Sequence, residues 1–181
     1  MAMEAEWGVT MPEPERIVET TTIAKVTLTI TRGVTAGWIA GIPQVVLAQV
    51  VGQLLGVRER ADIGPRFVRS AAAHAGSHLS TPMQWLLGAV FHLEYGAMWG
   101  ALYGLLVDWR GHRRVPPPLG GAVLGGLVYL AAFSPLGAAT RTGAERQVGQ
   151  RDPRETVLHW LSALGFGLTN ALAYRWLRER W

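Results

Sequence analysis

Residues 33–57, GVTAGWIAGIPQVVLAQVVGQLLGV, contain no charged side chain. A helix needs about 20 consecutive apolar residues to cross roughly 30 Å of hydrocarbon, and this run exceeds that length. The same test picks out three further segments. Residues 84–107 carry only His92 and Glu94, residues 119–140 carry no charge, and residues 156–174 carry only His159. The sequence therefore predicts an all-α, polytopic membrane protein. Its four transmembrane helices span about 33–57, 84–107, 119–140 and 156–177 and pack as a Gly-rich bundle.

Composition agrees with that reading. Charged residues make up 17% of the chain, against roughly 25% in ordinary soluble domains. The connections RERADIGPRFVRS (58–70), DWRGHRRVPPP (108–118) and RTGAERQVGQRDPRE (141–155) hold most of the charge and the turn formers. Thr81-Pro82 and Asp152-Pro153 read as an N-cap followed by proline at the first helical position. Pro43 is expected to break the hydrogen-bond ladder of the first span, and Pro135 to bend the end of the third.

Residues 1–22 form a polar, acidic tail with five glutamates and one arginine. A secretory signal has a positive n-region, so this tail is expected to remain on the mature protein, ahead of the membrane domain 23–181. TIAKVTLTIT (22–31) alternates in a strand-like way and reads as an interfacial lead-in to the first span.

The net charge is +4, from sixteen arginines and one lysine against thirteen acidic residues. These cations are spread over every connection without forming a patch, so lipid headgroups are the expected partners and nucleic acid is not. There is no cysteine, which excludes disulfides and thiolate metal sites. His74 and His78 lie four apart but lack a third ligand and read as a solvated surface. His112 is expected to face headgroups. Arginines concentrate in the 108–118 loop and the last seven residues, which places both termini in the cytoplasm by the positive-inside rule.

Small residues spaced four apart let membrane helices approach backbone to backbone. Gly37 and Gly41 supply such a face in the first span and Gly125 in the third. Gly88, His92, Gly96, Gly100 and Gly104 form one stripe along the second. His92 therefore points into the bundle, whereas Glu94, about 200° further round the helix, faces away. A shift of 67 residues places His92 on His159, Gly100 on Gly167 and Trp109 on Trp176, the pattern of a repeated helical hairpin.

Two histidines at matched depth are candidate ligands for a haem, or contacts for a quinone or pigment. The plainer reading gives each a hydrogen bond across the bundle to Ser162, Thr169, Asn170, Gln44 or a backbone carbonyl. Glu94 is either a proton-carrying carboxyl or a carboxylate paired with an arginine of a loop or a partner subunit. Gln44 and Asn170 are the other polar groups expected inside the membrane. Trp85, Trp99, Trp109, Trp160, Trp176 and Trp181, with Tyr95, Tyr103 and Tyr174, read as an interfacial belt.

VFHLEYGAMWGALYGLLVDWRGHRRVPPPLGGAVLGGLVYLAAFSPLG (90–137) and ETVLHWLSALGFGLTNALAYRWLRER (155–180) resemble the YagU-like group of small bacterial inner-membrane proteins. The resemblance implies a multi-pass protein of the bacterial cytoplasmic membrane and brings no biochemical activity with it. No phosphate-binding glycine loop, G-x-S-x-G, H-E-x-x-H or dense carboxylate cluster occurs, so the chain is not expected to be an enzyme. The sequence points to a non-catalytic accessory or assembly subunit of a larger membrane complex, with other membrane subunits or further copies of itself as partners. The alternatives are a haem- or quinone-binding electron-transfer protein using His92 and His159, and a small oligomeric transporter or channel.

Overall fold

The computed structural model describes residues 14–57, 63–109, 115–146 and 148–181. Among these the secondary structure is helical throughout: α1 (Pro14–Leu54), α2 (Ile63–His74), α3 (Thr81–Trp109), α4 (Pro117–Phe133), α5 (Ala138–Arg141) and α6 (Pro153–Arg180), with a 3-10 turn at Val148–Gln150. The four long helices form a row in the order α3, α1, α6, α4, with α2 laid against α3. Helices α1 and α4 run one way, α3 and α6 the other.

Segments Thr22–Leu54 and Pro117–Arg141 are long and apolar enough to cross a membrane. Alongside a core that includes Phe166, Tyr174 and Leu177, many enclosed positions are small and many large apolar side chains face outward. Small residues such as Ala36, Ala40, Ala163 and Ala171 are fully enclosed, while Ile42, Leu86, Leu119 and Leu172 are each more than half exposed. Exposed large apolar side chains occur on all four long helices, a larger number than the single exposed hydrophobics normal on soluble proteins.

The helix ends follow local chemistry. The Asp152 carboxylate accepts from the Arg154 amide at 2.8 Å, capping α6. At α3 the first turn begins one residue earlier than Thr81, because the Gln84 amide donates to the Ser80 carbonyl. Helices α1 and α2 close identically. Gly56 and Gly76 take left-handed φ, and Val57 and Ser77 donate back to Gly52 and Ala72, the paired bonds of a Schellman motif.

Several expectations are corrected. Helix α1 starts at Pro14, inside the expected tail, and residues 22–31 continue it without an interfacial break. The β-branched Thr31 and Thr35 fit a helix because they donate to the carbonyls of Thr27 and Thr31, each at 2.9 Å, so these two hydroxyls do not compete for another conformation. Pro43 lies within α1, which continues to Leu54; a missing amide removes one bond but does not end a helix held on both flanks. Helix α4 stops at Phe133 before Ser134-Pro135, rather than bending there. The connection 58–70 contributes a helix, α2. Residues 1–13, His112 and the arginines 110, 113 and 114 lie outside the described residues, as does the side chain of Trp109.

The shift of 67 residues corresponds to a repeated packing geometry. A Cβ on Gly33 would overlap the carbonyl of Gly100 and the Cα of Ala101, and one on Gly121 that of Gly167 and the Cα of Leu168. In return, a Cβ on Gly100 would reach the Gly37 amide and one on Gly167 the Gly125 amide. The second helix of each pair is offset by 67 residues and the first by 88. The α1–α3 and α4–α6 hairpins thus cross in the same register and the same direction, as in a parallel repeat.

Candidate functional site

The seam between α1 and α3 places His92. Gly37 lies against Gly96 and Gly33 against Gly100, and one turn further on His92 Nε2 meets the carbonyl of Gly41 at 3.3 Å. The bond to a backbone carbonyl is the plainer of the two arrangements the sequence suggests. Gly88 packs against Gly64 and Pro65 of α2 instead of another long helix, and Gly104 packs against the Tyr174 ring and the Thr29 carbonyl.

Beyond this seam is a cavity of about 450 Å³. Its walls are mainly Ile42, Val45, Ile63, Trp85, Leu158 and Phe133, and its polar groups are Gln44, His92, His159 and Ser162. The cavity brings together His92 and His159, 67 residues apart, and the Gln44 amide. It does not include Glu94 or Asn170. Glu94 is exposed, midway along α3, among Val90, Leu93 and Met98 of the apolar outer face. Asn170 is fully enclosed, with no hydrogen-bond partner for its amide among the described residues.

His159 is fixed from behind. Its ring stacks on Phe133 with centroids 4.1 Å apart and planes at 7°, and Nε2 lies 3.8 Å from Glu145 Oε1. The Glu145 side chain is fully buried, and Arg66 of α2 donates to its Oε1 at 2.9 Å. Arg151 pins the same region by donating to the carbonyls of Arg146 and Phe133 at 2.8 and 2.7 Å and to Thr140 Oγ1 at 2.6 Å. Ser70 also donates to the Thr142 carbonyl, tying α2 to the connection before α6. A carboxylate buried this deeply is tolerated because two cationic or hydrogen-bonding side chains face it.

Neither Glu145 nor Arg151 stands out in RTGAERQVGQRDPRE, which reads as a solvated connection. Its length is the available signal, since helix connections usually run to 2–8 residues and longer ones fold on themselves or carry function.

A second polar cluster closes the opposite end of the bundle. Asp108 Oδ2 accepts from Thr29 at 2.7 Å and from the Tyr174 hydroxyl at 2.9 Å, and Oδ1 lies 3.6 Å from Arg178. An acid in the last turn of α3 opposes the helix dipole, a sign from sequence that it needs partners. Tyr103 and Tyr174 are corrected from belt to core. They are buried edge-to-face at 5.7 Å and fill the volume left by Gly120 and Gly104. Trp85, Trp160, Trp176 and Trp181 are exposed. Asp108→Ala is expected to lower stability by about 1–3 kcal/mol, because it leaves the buried Thr29 hydroxyl without its acceptor and the Tyr174 hydroxyl with only the Gly104 carbonyl at 3.5 Å. Thermal unfolding in detergent reads this, and an unchanged midpoint contradicts it.

His74 and His78 are both exposed, with His74 Nδ1 2.8 Å from the Ser70 carbonyl. Among the described residues no group of three or more histidine, aspartate or glutamate side chains could hold a metal ion. Comparison with protein-family models, with curated proteins and with solved structures returns no match.

Proposed function

We propose that the chain is a four-span integral protein of the bacterial cytoplasmic membrane, acting without catalysis as an accessory or assembly subunit of a larger membrane complex. The observation that carries this is the exposed carboxylate of Glu94 within the apolar face of α3. A carboxylate facing hydrocarbon is costly, and such residues pair with groups inside a bundle or on a partner. No such group engages Glu94 among the described residues, so a neighbouring subunit supplies it in this reading.

Length supports four spans. Helices α3 and α6 hold 29 and 28 residues, or roughly 43 Å each at 1.5 Å per residue. Each exceeds the hydrocarbon thickness, with the charged residues of α6 at its ends.

The test is extraction followed by purification. The protein should remain in membranes washed with alkaline carbonate. In mild detergent it should migrate with other chains, and Glu94→Leu should release it as a single species while its own fold persists. Migration of the wild-type protein as a lone monomer would overturn the reading.

A further inference from the structure

We propose that the cavity between α1, α2, α3 and α6 is a binding site for a lipid-soluble quinone. Its volume, about 450 Å³, falls within the range of small-molecule sites and suits one substituted ring with the first part of its tail. The rim determines the route of entry. Ile42, Val46 and Trp85 line the cavity and are 66%, 58% and 51% exposed, so the mouth is edged by the outer apolar surface and opens where lipid would lie. A ligand entering there is itself apolar.

The polar groups narrow the class further. Gln44 and Ser162 line the cavity, and neither side chain has a hydrogen-bond partner among the described residues. His92 adds an imidazole whose single bond is long, at 3.3 Å. Gln44 and His92 stand on α1 and α3, Ser162 on α6, so donors approach from different walls. A flat ring with carbonyl acceptors on opposite edges can satisfy donors so placed. A saturated acyl chain fills the same space but leaves each polar group dehydrated without a partner. Haem ligation by both histidines fits less well, because both Nε2 atoms face protein oxygens, the Gly41 carbonyl and Glu145. Binding alone is inferred, with no electron transfer.

This inference extends the membrane reading above and uses it only for the route of entry, so binding in micelles is decided independently of any subunit role. Wild-type protein in dodecyl maltoside is titrated with a decyl-substituted benzoquinone while tryptophan fluorescence is followed. Saturable quenching is expected, with most of the saturable part lost in Trp85→Phe. Gln44→Leu, which removes the amide at nearly constant volume, should weaken binding about tenfold, as expected for loss of one good hydrogen bond. Ala48→Phe, which fills the cavity from α1, should abolish the saturable part. Decanoic acid should not compete. Quenching that rises linearly with quinone, quenching equal in wild type and both cavity variants, or displacement by decanoic acid at similar concentration would each overturn the proposal.

Discussion

Gly100→Ala and Gly167→Ala are each expected to destabilise the bundle by well over 3 kcal/mol and to abolish a cooperative thermal transition in detergent. The usual cost of overpacking, about 1–3 kcal/mol, assumes that flexible side chains can move aside. Here the added methyl meets backbone. On Gly100 it lies 2.8 Å from the Gly37 amide nitrogen, and on Gly167 2.5 Å from that of Gly125. Relief requires the helices to separate, which forfeits the close contact on which packing in lipid depends. Gly126→Ala is the control, since no atom outside its own helix lies within 4 Å of the new Cβ. Replacing glycine there should be neutral or stabilise by up to about 1 kcal/mol through helix propensity. Because the hairpins share a register, the two disruptive substitutions should act alike. A large effect at one position and none at the other would contradict the repeat.

Glu145→Ala is expected to cost about 3–5 kcal/mol, the range for removing one partner of a buried charge pair. The carboxylate is fully enclosed, 2.9 Å from the Arg66 guanidinium and 3.8 Å from His159 Nε2. Its loss leaves the Arg66 guanidinium and the His159 ring without the carboxylate they face, in a region that Arg151 and Ser70 hold in place. Glu145→Gln keeps an acceptor and should cost less. Arg66→Met should also cost less, since that side chain is 22% exposed and water compensates part of the loss. In a double-mutant cycle of Glu145→Ala with Arg66→Met, the two losses should fall short of additivity by about 0.5–3 kcal/mol. Unfolding midpoints in one detergent provide the comparison, and a loss below about 1 kcal/mol for Glu145→Ala would show that the cluster does not bind α2 to α6.

Much of the packing was legible because membrane helices meet through small residues, and small residues at fixed spacing are visible in a chain. The stripe from Gly88 to Gly104 placed His92 on the seam and Glu94 off it, and both positions follow from helix periodicity alone. The pairing of His92 with His159 was legible as a sequence offset. What surrounds them was not. Glu145 reaches His159 only because the 141–155 connection folds back against α2 and α6, and Gln44 joins them because α1 continues past Pro43.

The sequence by itself determined the presence of the four long helices, their apolar character and the glycine faces, since these depend on residues near one another in the chain, but not α2, α5 or the start of α1. Only the tertiary structure decided that α3 and α6 present their histidines to one cavity, that Tyr103 and Tyr174 are core, and that Glu145 and Arg151 of the 141–155 connection are buried. Those outcomes depend on how loops return and on which backbone comes within contact of a glycine. Such contacts join residues distant in the chain, such as Gly37 with Gly96 and, 79 positions apart, Arg66 with Glu145, and no local periodicity encodes them.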